Sequence, residues 1–142
     1  MALETYRGVV YPWQMDHMDH MNVQFYTARF DEATWHLFAA LGMDTSYFKT
    51  QQRGMAALDQ RTLYKKELHA GALICITSEV LEAKSKTLRF VHRMYDCESG
   101  AEVASSELVG AHIDTVARKS VPFPQAIAAR QAQMLASGSP AA

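Results

Sequence analysis

Two hydrophobic periods divide this chain. From residue 55 onward apolar and polar positions alternate with period two, the pattern of half-buried strands. The alternation is cut by three short turn signals: His69-Ala70-Gly71, Lys84-Ser85-Lys86 and Glu98-Ser99-Gly100. They predict strands over residues 55–68, 72–83, 87–97 and 101–114. In the third of these Leu88, Phe90, His92 and Met94 share one face, opposite Arg89, Val91, Arg93 and Tyr95. Successive strands of similar length joined by short turns predict an antiparallel meander. An earlier strand, rich in β-formers, is predicted over residues 4–11 and closed by Pro12.

Between that strand and the meander lies the one long helical pattern, residues 23–41, which stops at Gly42. Val23, Phe25, Tyr26, Phe30, Trp35, Leu37, Phe38 and Leu41 spread over more than one stripe, so the helix is expected to be enclosed. A loop follows, with a helical turn near Tyr47-Phe48. Pro124 suits the first position of a short helix running to about Leu135. The architecture expected is α+β: a five-stranded antiparallel sheet wrapped around one long central helix, with a short C-terminal helix. Residues 1–136 form a single domain and 137–142 a flexible tail.

Composition narrows the function. At 142 residues with 49% apolar and 20% charged side chains, the chain has enough material for one real core. A net charge of −1 supplies no basic field for nucleic acid or an anionic membrane surface. The apolar runs are too short to span a bilayer, and the first residues lack a signal peptide's basic and apolar regions. Cys75 and Cys97 are then expected to be unpaired thiols of a cytoplasmic protein. Both fall in predicted strands with no histidine arranged beside them, which speaks against a cysteine nucleophile. No glycine-rich phosphate loop is present.

Chemistry concentrates just ahead of the long helix. Asp16, His17, Asp19 and His20 lie within five residues, and Asn22 is a good N-cap for the helix that begins at Val23. Singly, each could be a capping or loop residue stabilised by the helix dipole. Together they place a carboxylate beside a helix N-terminus, whose oriented amides can hold a developing oxyanion. A carboxylate there can act as nucleophile or activate water, which suits hydrolysis of an activated acyl group such as a thioester. A metal site built on His17 and His20 is the weaker alternative, because no third ligand stands at a recognisable spacing and His36, His69, His92 and His112 are scattered.

Asp16-His17-Met18-Asp19-His20-Met21-Asn22, then Tyr26, then Asp31-Glu32-Ala33, resembles the pattern Asp-x-x-Gly-His-x-Asn with its following Tyr and acidic-Ala pair. That pattern marks hotdog-fold acyl-CoA thioesterases of the 4-hydroxybenzoyl-CoA thioesterase group. Gly71, Ile113-Asp114, Pro122 and Pro124 echo later features, and the likeness covers roughly residues 5–125. The resemblance implies a hotdog fold and hydrolysis of an acyl-CoA to free acid and CoA, with no cofactor and no metal. It assigns the catalytic carboxylate to Asp16 and the carbonyl-polarising amide to Val23. His20 and Asn22 shape the loop and orient water or substrate; Tyr26 lies near the acyl pocket, and His17 and Asp19 are candidate substrate contacts. Asp19 departs from the pattern, standing where the group has glycine. The His-Met-Asn form is similar to thioesterases acting on carnitine- or betaine-type acyl-CoAs. Among the basic residues, Lys84, Lys86, Arg89 and Arg93 are all candidates for the CoA phosphates. A homodimer or homotetramer is expected, since a small curved sheet leaves long edges to pair. Two other readings remain: a hotdog hydratase or dehydratase with Asp16 and His20 as acid and base, and a non-catalytic acyl-CoA-binding domain.

Overall fold

Residues 2–135 are described by a computed structural model. The chain runs β1 (Leu3–Val9), a single 3-10 turn (Pro12–Gln14), α1 (Val23–Ala40), α2 (Thr45–Gln51) and β2 (Arg53–Tyr64). It continues β3 (Leu73–Ala83), β4 (Thr87–Asp96), β5 (Glu102–Asp114), a two-residue β6 (Lys119–Ser120) and α3 (Gln125–Gln133). The fold is α+β, a curled antiparallel sheet of five long strands with α1 on its inner face, as the periodicity implies. The expected tail, 137–142, lies outside the described residues.

Alternation decides which face is inner. Ile74, Ile76, Ser78 and Val80 of β3 and Leu88, Phe90, His92 and Met94 of β4 are all buried. Their neighbours in sequence form a charged outer face, where Glu79, Arg93 and Glu102 make a ladder of ion pairs across β3, β4 and β5 that ends on Lys65, just after β2. From α1 the inner face receives Tyr26, Phe30, Ala33, Leu37 and Phe38, one stripe at helical spacing. Two apolar clusters result. One around Tyr26, Phe30, Ile74, Ile76 and Met94 lies toward the start of α1, and the other around Leu37, Leu41, Leu88 and Phe90 lies toward its end. Phe123 and Ile127, the latter on α3, close the second cluster.

Three expectations need correction. The sheet order is β1-β3-β4-β5-β2, so only β3-β4-β5 is a meander. Strand β2 leaves its sequence neighbour β3 and pairs instead with β5, from Arg53↔Asp114 to Tyr64↔Ala104. The turn at His69-Ala70-Gly71 is real, with Gly71 at φ +90° and its amide bonded to Val10 O. It folds the chain back along β1, however, and does not join two paired strands. Second, β2 ends at Tyr64, short of residue 68. The amides of Lys65 and Lys66 both turn to Val103 O, which ends the ladder, and Leu68 then drops into the core. Third, α1 is covered on one stripe only. Trp35 and Val23 are more than half exposed, because one chain's sheet reaches one side of the helix.

Smaller elements follow their local chemistry. Asp44 caps α2 by accepting from Tyr47 N at 2.8 Å, making it longer than a single turn. Gly42, at φ +96°, follows the C-terminus of α1 as the sequence indicates.

Candidate active site

The loop ahead of α1 is a small, tightly bonded hairpin. Met15 and Met21 form a bridge, Asp16 N donates to His20 O at 2.9 Å, and Asp19 N donates to Asp16 O at 3.0 Å. Two anchors fix it to the body. Met21 N donates to Leu68 O at 2.7 Å, and Asn22 N donates to Gln14 O at 2.8 Å. Gln14 is fully buried, and its Oε1 accepts from Tyr11 N at 2.8 Å, so this one side chain braces the entry to the loop.

The turn closes through Asp19 at φ +63°, the left-handed region. That explains why glycine suits this position, and Asp is among the few side chains that enter the region at modest cost. Asp16 is half-anchored. Its Oδ1 accepts from Met18 N at 2.9 Å and sits 3.5 Å from His20 N, while Oδ2 has no partner among the described residues. Asn22 is the N-cap: its Oδ1 accepts from Gln24 N at 3.0 Å and its carbonyl from Phe25 N at 3.0 Å. The Val23 amide is then the unclaimed donor of the first turn, with no acceptor among the described residues.

Asp16, His20, Val23 and Tyr26 line one groove of about 270 Å³, together with Tyr64, Lys65, Lys66 and Glu67 from the end of β2. His17 and Asp19 do not line it, and Asn22 acts through the cap. Tyr26 is buried and its hydroxyl donates to Lys66 O at 3.3 Å. Burial, reinforced by Tyr64, Glu67 and Asp16 nearby, pushes its pKa up to about 12, so it is a neutral donor. The segment 64–67 is what the sequence did not reveal. Its only signal is the polar run Lys65-Lys66-Glu67 inside an otherwise alternating stretch.

Other candidates fall away from this groove. Arg89 pairs with Glu107, Arg93 with Glu79 on the outer sheet face, and Lys84 approaches Glu82. The cations beside Asp16 are Lys65, bonded to Glu102, and Lys66. Cys75 is pushed up to about 11, first by burial and then by its hydrogen bond with Cys97, which keeps it a thiol. A second, larger hollow of about 450 Å³ runs along the open side of α1, lined by Asp31, Trp35, Phe38, Phe48, Met55 and Leu108 among others.

A family model described as the thioesterase-like superfamily matches residues 10–131. Among curated proteins, the chain is 28% identical over 129 residues to the betainyl-CoA thioesterase of Pseudomonas aeruginosa, covering 91% of this chain and 81% of that protein. It is 26% identical over 116 residues to the L-carnitine dehydrogenase/betainyl-CoA thioesterase of Rhizobium meliloti, covering 82% of this chain but 23% of that longer protein. Among solved structures, a hypothetical protein from Staphylococcus aureus in complex with CoA gives a TM-score of 0.87 at 18% identity, over 96% of this chain and 89% of that one. A 1,4-dihydroxy-2-naphthoyl-CoA thioesterase from Synechocystis gives 0.81 at 13% identity, over 94% and 98%. At such identities the structural likeness speaks for the hotdog fold.

Proposed function

Since the chain belongs to the thioesterase-like superfamily and is a thioester hydrolase, we propose that its substrate is an acyl-CoA, cleaved to free acid and CoA in the groove at the start of α1. The observation that carries this reading is the pairing of a half-anchored Asp16 carboxylate with an unclaimed Val23 amide in one groove. The thioester carbonyl oxygen accepts from Val23 N–H, at the positive end of the helix dipole. Asp16 Oδ2 takes a proton from water as it attacks the carbonyl carbon, or attacks that carbon itself to give a mixed anhydride that water then hydrolyses to the free acid, restoring Asp16. Collapse of the tetrahedral oxyanion breaks the C–S bond, and the leaving thiolate recovers a proton. Tyr26 holds the groove wall through its hydrogen bond to Lys66 O, His20 holds the loop through its carbonyl, and Lys66 meets a CoA phosphate.

The acyl group we assign is a small cationic one of the betaine type. What supports it is the betainyl-CoA thioesterase activity of the two relatives. A panel of acyl-CoAs, with thiol release followed for wild type and Asp16→Asn, tests both levels. Expected are turnover of at least one thioester, fastest for betainyl-CoA, and a loss of about 10²- to 10⁴-fold in Asp16→Asn. Full activity in Asp16→Asn would overturn the assignment of Asp16. Hydration of an enoyl-CoA without thiol release, or tight binding without turnover, would overturn the reaction.

A further inference from the structure

The loop of the candidate active site brings together a second set of groups that thioester hydrolysis does not use. His20, Glu67 and His69 each offer a donor atom lying within 4.8 Å of the other two. His20 Nε2 sits 2.9 Å from Glu67 Oε2, and the two imidazole rings meet edge to face with centroids 5.3 Å apart. The three come from two segments. His20 belongs to the hairpin before α1, whereas Glu67 and His69 flank the buried Leu68 after β2. Met21 N on Leu68 O ties the two segments at that point, so the cluster has a rigid floor.

We propose that His20, Glu67 and His69 form a binding site for a divalent transition-metal cation of the zinc class. Two imidazoles and one carboxylate are a borderline donor set that suits zinc, nickel or cobalt better than calcium or magnesium, which demand oxygen ligands. Three protein ligands leave further positions for water. Around a tetrahedral ion, ligand atoms stand about 3.4 Å apart, so the group needs only side-chain rotation to close from its present spacing.

A second, independent feature points the same way. His69 Nδ1 lies 3.1 Å from Asp19 O. A carbonyl can only accept, so Nδ1 carries the proton and the neutral ring keeps its lone pair on Nε2. A backbone carbonyl fixing the tautomer from behind is the usual support of a metal-ligating imidazole. The left-handed Asp19 therefore has a role that its side chain does not show: its backbone turn presents the carbonyl that orients His69. Opposing charge is limited. Lys65 is bonded to Glu102, and Lys66 is the remaining cation of the adjoining groove. Without a metal, the same groups make a His20–Glu67 contact at 2.9 Å with the His69 ring edge to face against His20, and this is the alternative the test must separate.

The test uses the full chain without an affinity tag, stripped with EDTA, desalted and titrated with zinc chloride by calorimetry at pH 7.5. The expected result is one ion per chain with Kd below about 100 µM. His69→Ala and Glu67→Gln should each weaken binding at least about tenfold, whereas His36→Ala, on the exposed side of α1, should leave it unchanged. Thermal melts in EDTA establish that the variants fold. Binding weaker than about 100 µM, a smaller effect at His69 and Glu67, or an equal loss in His36→Ala would each overturn the site. The readout is metal binding, so it stands or falls separately from the hydrolytic reading.

Discussion

Asp19 and His92 show how much a single residue settles here. Asp19 holds φ +63°, and a left-handed side chain other than glycine costs of the order of 1 kcal/mol, less for Asp than for most. Asp19→Ala is therefore expected to destabilise the protein by about 1 kcal/mol, and Asp19→Gly to match or exceed wild type, as read from urea midpoints. His92 is fully buried in a chain of polar groups: its Nε2 lies 2.8 Å from Thr34 Oγ1 and its Nδ1 2.5 Å from Ser78 Oγ, which meets Thr5 Oγ1 at 2.7 Å. Thr34 spends its single proton on Phe30 O, so His92 Nε2–H must donate to Thr34 and Nδ1 must accept from Ser78. Burial pulls the His92 pKa down to about 3. The unfolded imidazole protonates near 6.5 while the folded one stays neutral, so protons favour unfolding. The stabilisation is complete above about pH 6.5 and declines by up to about 1.4 kcal/mol per pH unit as pH falls toward 3. His112, also lowered by burial, acts in the same direction. Urea midpoints for His92→Gln should be lower at pH 7 yet fall with pH about one proton less steeply than wild type. From the sequence, alternation alone placed His92 on the apolar face of its strand. Its partners on β1, β3 and α1 were invisible, because no local pattern encodes a contact between distant segments.

Among the elements, α1 was the most legible and also the most informative. Asn22, Val23 and Gly42 mark its ends by chemistry confined to a few residues, which is why a reading of the sequence locates them. Asn22→Ala should cost about 1 kcal/mol in a urea titration, because Gln24 N loses its acceptor. It should also reduce turnover more than it reduces stability at the assay temperature, since the same cap sets the direction of the Val23 amide. A variant that loses stability but keeps wild-type kcat would separate the cap from the chemistry. The strands were legible as strands but not as a sheet. Period two reports which face is buried and says nothing of which neighbour pairs with which. The overlong reading of β2 followed Leu68, an apolar residue beyond the polar run Lys65-Lys66-Glu67, whereas the amides of Lys65 and Lys66 turn to Val103 O and end the ladder. For that reason Lys66 and Glu67 stayed outside the candidate site in the sequence and entered it only in three dimensions.

At the scale of the whole molecule the open surfaces lie together. Strand β2 is paired on one side only, and Leu58, Leu63 and Tyr64 along it are exposed. Beside it runs the uncovered face of α1 with Trp35 and the larger hollow. An unpaired edge of this length invites a second copy, and a two-fold pairing of β2 edges would cover edge and hollow together. We expect light scattering at micromolar concentration to give at least a dimer, and Leu58→Lys combined with Leu63→Lys to shift it toward monomer. A monomeric wild type, or a double variant that stays dimeric, would place the interface elsewhere. No helix among the described residues is long and apolar enough to cross a membrane.

The displaced position of β2 also sets a timetable. Hairpins β3–β4 and β4–β5 close short loops, but β2 can join β5 only after a much longer stretch of chain has been gathered. Tyr64, Lys65, Lys66 and Glu67, one wall of the groove, arrive with it. A partly folded chain with a finished meander and a finished α1 would thus own Asp16 and the Val23 amide, yet lack the wall opposite them. The groove is thus completed by a contact between distant segments, and a chain in which β2 has not docked lacks one of its walls.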